Sequence, residues 1–500
     1  MKHFYFTIAL FSSISVSQAQ GVATATLEQN NVRAHIADNG FLFNDVLNDQ
    51  SGYIVPRQEG TGAMFGLNIN YTAKDPNETV HFSKSLYGIS VWSGGPVRDN
   101  YNVSVTPSIS CVSRTEISNH IHSYTSPSYT IPGSLLEWPA HGDQENGETW
   151  LLAPFEDIDG DGIYAPQNGD FPCIKGDRAC YIIMNDQKPD LQTEGLPSVG
   201  LETHIMVYQL NSASEAVNNA TFMEVKTFNR SETDYTDFVL GILMDGDIGG
   251  FDDDFIGTDA ESSTLYFYNG RTIDQGFMGV TGYGANPPAL GLTALNEDLS
   301  YTNYPFQSNW TVMELYNLFN GRNPDGTPLE HDYVFDGYYE TGRTEITTGG
   351  VPGDRRGFAS YTPVDLPSGE SHSSSFVISY GKSSMYEHLF SPVESLITNI
   401  YELKDAYSQI SSSCDEVLSN GKPISKKEIA LFPNPASDKL TIHTPSNGEF
   451  ILLNALGQKV YEGKLTSPAT YLSVSHLSEG MYFAKISTDT EDRTIKWIKE

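Results

Sequence analysis

The sequence predicts an all-β protein: a multi-unit antiparallel β-sandwich architecture with one late amphipathic helix and a small C-terminal β-sandwich. Three observations lead there. Short alternating or apolar segments recur along the whole chain, punctuated by Gly, Pro, Asn and Asp, as strands between turns require. Between them lie none of the dozen-residue helical patterns that parallel α/β crossovers need. Hydrophobic residues make up 39% of the 500 positions and charged residues only 18%, which is ample core material for about three structural units.

Met1-Lys2-His3, the apolar run Phe4 to Phe11 and the small-residue ending Ser17-Gln18-Ala19 predict a signal peptide over residues 1–19. Residues 20–150 form a β-rich region, with strand signals at Met64 to Tyr71, Leu86 to Trp92 and Tyr101 to Val112. Residues 151–384 form a second one, with strands expected at His204 to Leu210, Thr221 to Phe228, Phe238 to Met244, Leu265 to Tyr268, Trp310 to Leu318 and Ser373 to Tyr380. Over 385–411 the period changes to 3.6: Leu389, Val393, Leu396, Ile400, Leu403 and Tyr407 trace one stripe, a helix lying on the β body. Ser411-Ser412-Ser413 and Ser419-Asn420-Gly421-Lys422-Pro423 mark a linker over 412–429.

Residues 430–500 change composition, carrying 7 Lys and Arg against 8 Asp and Glu, whereas residues 20–429 hold 21 against 55. Leu440 to His443, Phe450 to Asn454, Lys459 to Tyr461, Tyr471 to Val474, Tyr482 to Ile486 and Thr494 to Ile498 alternate as the strands of a small sandwich. Four motifs stand on this tail: Phe432-Pro433-Asn434-Pro435-Ala436, Asn454-Ala455-Leu456-Gly457-Gln458, Leu477-Ser478-Glu479-Gly480-Met481-Tyr482 and the ending Lys496-Trp497-Ile498-Lys499. With them the tail resembles the type A C-terminal sorting domain of the type IX secretion system. The resemblance implies that the secretion machinery is a partner and that the protein is secreted or displayed on the outer cell surface. The body resembles uncharacterised exported proteins with the same tail, through Trp138-Pro139-Ala140-His141-Gly142, Asn229-Arg230-Ser231, Tyr283-Gly284-Ala285-Asn286-Pro287-Pro288 and Pro352-Gly353-Asp354-Arg355-Arg356. That second likeness implies no activity.

A formal charge of −34 disfavours nucleic acid and anionic membrane surfaces and favours cations. No later stretch has the roughly 18 consecutive apolar residues of a transmembrane segment. Four cysteines in an oxidising compartment permit bridges. The short loop between Cys173 and Cys180 predicts that these two pair, with two buried thiols as the alternative, and Cys111 with Cys414 is the remainder.

Glu156-Asp157-Ile158-Asp159-Gly160-Asp161-Gly162-Ile163 places carboxylates at positions 1, 3 and 5 of a glycine-permitted turn and the Ile163 carbonyl at position 7. This predicts a calcium loop of Asp157, Asp159, Asp161 and Ile163, which Asp170 closes because position 12 is Asn168 and not Glu. An acidic surface turn is the alternative. A second set, Asp245, Asp247, Asp253, Asp254 and Asp259, follows a strand and is also expected to bind metal. The chain lacks a His-Glu-x-x-His zinc helix, a Gly-x-Ser-x-Gly elbow and a phosphate-binding Gly-Lys-Ser/Thr loop. His120 and His122 are expected on one strand face without a third ligand, and Ser371-His372-Ser373 lacks a partner acid. The function these features favour is a secreted or surface calcium-stabilised structural, adhesion or glycan-binding protein, with a surface glycan or extracellular matrix as ligand. A secreted hydrolase of carbohydrate or protein is the other class. An exposed aromatic patch separates the first from the second, which needs a cleft of converging reactive groups.

Overall fold

A computed structural model describes residues 17–19, 22–87, 89–103, 106–191, 197–304 and 310–414, and in the tail 430–432, 436, 439–443, 447–454, 458–465, 469–478, 480–488 and 492–499. The leader run 4–11, most of the linker (415–429) and the motif positions 433–435, 455–457 and 479 lie outside the described residues. Ser17–Ala19, inside the predicted leader, pairs with Val22–Leu27.

Ten principal strands carry the body: β1 (Gly66–Lys74), β2 (Arg178–Asn185), β3 (Leu201–Gln209), β4 (Thr221–Asn229), β5 (Tyr235–Asp245), β6 (Asp254–Asp259), β7 (Thr264–Asn269), β8 (Ala289–Ala294), β9 (Arg356–Tyr361) and β10 (Ser371–Gly381). One nine-stranded sheet runs Ser93–Gly94, β2, β3, β4, β10, β8, β7, β6, with Ile109–Ser113 also on β2. A seven-stranded sheet runs Val80–Ser83, β1, β5, β9, Leu299–Asn303, with Phe41–Leu42 on β1 and Val364–Leu366 on β5. The pairings are antiparallel, as predicted.

Inward residues of both sheets meet in one apolar core: Ile69, Leu240, Ile242 and Met244 from one, and Ile205, Val207, Met223, Val225, Phe267, Phe376 and Ile378 from the other. Two tyrosine hydroxyls cross this core to threonines of β4, Tyr71 to Thr227 at 2.6 Å and Tyr53 to Thr221 at 3.1 Å, so the polar ends of large rings are satisfied at depth. Because β1 pairs with β5, the regions 20–150 and 151–384 share one sheet, and Met1–Ser413 forms one compact unit where the sequence suggests two.

Every residue of β3 is buried, which an antiparallel strand with a solvated face would not show. Its outer face is covered: Trp138 packs on Tyr181 and Tyr181 on His204, while Phe222 stacks on Tyr407 of the late helix. That helix, α3 (Ser391–Gln409), buries Val393, Leu396 and Ile400 against Tyr266, Tyr268 and Ala289, and Leu403 is buried too. It is shorter than the predicted 385–411, because the Ser391 hydroxyl accepts from the Glu387 and His388 amides and fixes the start there.

Three expected strands are different. Trp310 to Leu318 is helix α2 (Val312–Phe319), opened by a capping box in which Thr311 accepts from the Glu314 amide and Glu314 from the Thr311 amide. His120 and His122 lie on helix α1 (Arg114–Ser123), capped the same way by Ser113 and Glu116, so they share no strand face. Of Tyr101 to Val112 only the end, within Ile109–Ser113, is a strand.

The cysteine pairing is also corrected. Cys111 bonds to Cys180, because Ile109–Ser113 and β2 place them as register partners on adjacent strands. Cys173 and Cys414 form the second pair, and no cysteine is free. The expected Cys173–Cys180 loop cannot close, since β2 carries Cys180 into the sheet while Cys173 stays beside Ser413, whose amide donates to Ile174 O at 2.7 Å.

The tail, described by itself, has a three-stranded sheet (Ala430–Phe432, Lys439–His443, Ala469–Ser473) and a four-stranded one (Lys459–Leu465, Gly448–Asn454, Gly480–Thr488, Asp492–Lys499). Leu440, Ile442, Phe450, Leu452, Ile486 and Trp497 fill its own core, so it is the small β-sandwich the alternation predicts.

Candidate metal centres

The first acidic loop hangs from a two-residue ribbon. Phe155 pairs with Pro172 and Glu156 with Phe171, so Asp157 leaves one strand opposite Asp170 entering the other. Oxygens of Asp157, Asp159 and Asp170 consequently lie within 4.8 Å of one another. Gly160 and Gly162 take φ of 75° and 79°, which turns the chain back over Asp157. The Asp157 carboxylate accepts from the amides of Gly160 and Gly162, both at 2.7 Å. Asp159 accepts from Asn168 Nδ2 at 2.8 Å, which puts an amide where an EF-hand has its twelfth-position carboxylate. Asp170 is fully buried and accepts from the Ile158 and Ala165 amides, both at 2.8 Å. Burial raises its pKa and the Asp157 and Asp159 charges add to the rise, against the pull of those amides. Asp161 stands outside the triad, exposed, with its carboxylate on the Ile163 amide at 2.8 Å. Ile163 turns its side chain to solvent.

The loop exit is tied to an aromatic platform. The Tyr164 amide donates to His141 Nε2 at 2.8 Å, which leaves Nδ1 to donate to Trp150 O at 3.2 Å. The His141 ring lies on Trp150, centroids 3.9 Å apart and 13° from parallel, and Phe155 meets His141 edge-on. Trp150 is 38% exposed, whereas Trp138, the tryptophan the sequence singles out, is buried with its Nε1 on Pro154 O.

The second centre lies at the end of β5. Asp245 is the register partner of Arg356 on β9, and Arg356 Nε stands 3.4 Å from Asp245 Oδ2. Arg355 points the other way, into a bidentate pair with Glu345 at 2.9 and 2.8 Å. That anchor leaves Asp354 and Arg356, joined at 2.7 Å, facing the same side as Asp245. Beyond Asp245 the chain turns at Gly249, where a Cβ would stand 1.9 Å from Asp274 Oδ2. Asp245, Asp247 and Asp354 bring oxygens within 4.8 Å of one another. They line a cleft of about 850 Å³ with Arg356, Tyr87, Phe251 and Val280, a volume in the range of ligand sites. Burial raises the Asp245 carboxyl to about 6, opposed by Arg356 and reinforced by Asp354. Asp247 is pushed well above the ordinary range by burial, then by Asp245 and Asp354.

The other predicted residues of this set serve elsewhere. Asp253 accepts from Asn269 at 2.9 Å and pairs with Arg271, and Asp254 accepts from the Ile248 amide at 3.1 Å. Asp259 sits at the opposite end of β6 and caps the turn at Ser262. Sequence reasoning missed Asp354, Arg356 and Tyr87 as neighbours of Asp245. The signal was the alternation Asp354-Arg355-Arg356, which sends flanking charges to one face and the middle one to the other. A third cluster, Glu156, Cys173 and Cys414, offers no thiolate, because both sulfurs are bonded.

Residues 430–500 match the secretion system C-terminal sorting domain. The protein is therefore exported through the type IX system to the cell surface or the extracellular space. No curated protein matches the chain. Among solved structures a polysaccharide lyase aligns with 70% of this chain at 10% identity and a TM-score of 0.19. The chain covers only 37% of that protein's length, and the likeness carries no argument. Among the described residues no helix is long and apolar enough to cross a membrane.

Proposed function

We propose that this exported protein is a calcium-stabilised glycan-contact or adhesion protein whose loop 157–170 holds the ion and whose His141–Trp150 platform meets the sugar. One observation carries the proposal: the Tyr164 amide at the loop exit holds His141, and His141 holds the partly exposed Trp150 ring. Three carboxylates crowded in one turn repel until a cation compensates them, and carboxylate and carbonyl oxygens are the donors calcium takes. Magnesium demands a smaller, regular octahedron, so it is a poor substitute. Calcium thus ties the ribbon to the turn, and the turn keeps the platform in place for stacking on an apolar sugar face.

A hydrolase would use the cleft acids instead. The cleft oxygens lie within 4.8 Å of one another, a spacing suited to sharing one cation. The test is a glycan array probed with the full chain in calcium and in chelator. Calcium-dependent binding that Trp150→Ala weakens at least tenfold is expected. Equal binding by the variant, or binding indifferent to chelation, would refute the proposal.

A further inference from the structure

We infer that the cleft beside Asp245 is a second divalent-cation site, of the calcium type, held by Asp245, Asp247 and Asp354 and left with coordination positions open to the cleft. Charge argues first. Asp245, Asp247 and Asp354 face one guanidinium, Arg356, and Asp49 lines the same cleft, so carboxyl groups outnumber cations there and a divalent ion offsets the excess.

Unmet bonding argues independently. Asp247 is only 8% exposed, yet its carboxylate makes no hydrogen bond or ion pair among the described residues. Oδ1 of Asp245 and Oδ1 of Asp354 are likewise buried without a hydrogen-bond partner among the described residues. Buried polar atoms are nearly always satisfied, so unmet acceptors on three acids around one point mark a missing occupant. The donors are hard carboxylate oxygens without imidazole or thiolate, the set calcium takes and zinc does not.

Openness follows from where the donors stand. All three acids lie on the wall built by the ends of β5 and β9, and the polar side chains of the other walls, Asp49, Gln50 and Thr281 among them, stand outside the group whose oxygens lie within 4.8 Å of one another. Calcium takes six to eight oxygens, so the remaining positions fall to water or to hydroxyl or carboxylate oxygens of a molecule in the cleft. The site shares no residue with loop 157–170 and stands whether or not that loop binds calcium.

The experiment is calcium titration calorimetry on the full chain, with terbium luminescence lifetimes in H₂O and D₂O counting bound waters. Asp247→Asn should lose one equivalent of calcium, and in chelator it should melt above wild type, because a buried carboxyl crowded by Asp245 and Asp354 is gone. The terbium lost in Asp247→Asn should be one that carries several waters. Asp157→Asn with Asp159→Asn should leave the cleft equivalent intact; loss of all binding there would overturn the cleft site. Loss of all binding in Asp247→Asn would instead support the cleft and refute the loop. An unchanged stoichiometry in Asp247→Asn overturns the inference, and should that variant fail to fold, the half-buried Asp354→Asn gives the same readout.

Discussion

Two buried acids near the edge of the large sheet show how neighbours decide the sign of an ionisation. Glu202 accepts from Arg230 at 2.6 Å and pairs with His204, which in turn meets the Tyr181 hydroxyl. Burial alone would raise its carboxyl, but His204 and Arg230 outweigh burial and hold it at about 2. At Asp186 burial prevails. It accepts from Ser83 and from the amides of Gly200 and Leu201, and burial still pushes it up to about 6. Its native form keeps a proton that the unfolded chain has released, so its contribution to stability falls as pH rises from about 4 through 6. Asp186→Asn should therefore gain on wild type by up to about 3 kcal/mol between pH 4 and pH 7, read from urea unfolding at both values. A constant difference would show that the carboxyl titrates normally. Such roles are not legible in the sequence. Asp186 and Asp157 are the same residue type, and only the fold gives one three neutral donors in the core and the other a solvent-facing turn.

Elements were legible where periodicity and caps agree. Helix α3 stands out because its apolar stripe runs for five turns, and the tail strands because alternation is uninterrupted. Helices α1 and α2 did not, although Ser113-Arg-Thr-Glu116 and Thr311-Val-Met-Glu314 are capping boxes in plain view. Their apolar residues alternate over short windows well enough to pass for strands, and the caps are the tie-breaker. The cysteines fail for another reason: proximity along the chain says nothing about register across a sheet. Non-reducing peptide mapping of protein collected outside the cell should join Cys111 to Cys180 and Cys173 to Cys414. Closing a loop of 69 residues with the first bridge contributes about 4 kcal/mol in the chain-entropy account, so replacing both cysteines by alanine should destabilise by about that amount. Recovery of a Cys173–Cys180 peptide would contradict the register.

At the scale of the whole molecule the charge is divided. Nearly all of the −34 sits before residue 430, and the tail is close to neutral. An acidic body repels itself unless cations bind it, so calcium should matter most there. Free calcium at one hundred times the dissociation constant of one site adds about 2.7 kcal/mol to native stability, and chelation should lower the melting temperature accordingly. Asp159→Ala with Asp161→Ala should remove the part of that gain that belongs to the loop; identical melting with and without calcium would return it to ordinary surface.

The division also separates delivery from folding. Met1–Ser413 and Cys414–Glu500 are two compact units, and the tail packs Leu440, Phe450, Leu452 and Trp497 in one cluster of its own. Each unit has an apolar cluster of its own, and removing residues 430–500 keeps Cys414 for its bond to Cys173. The truncated chain should melt cooperatively, keep both disulfides and keep its calcium response, yet stay inside the native host in place of reaching the surface. The measurement is surface proteolysis of the host alongside calorimetry of the purified truncated protein. Undiminished surface display would show that the body carries its own address, and an unfolded truncation would show that the two cores are energetically one.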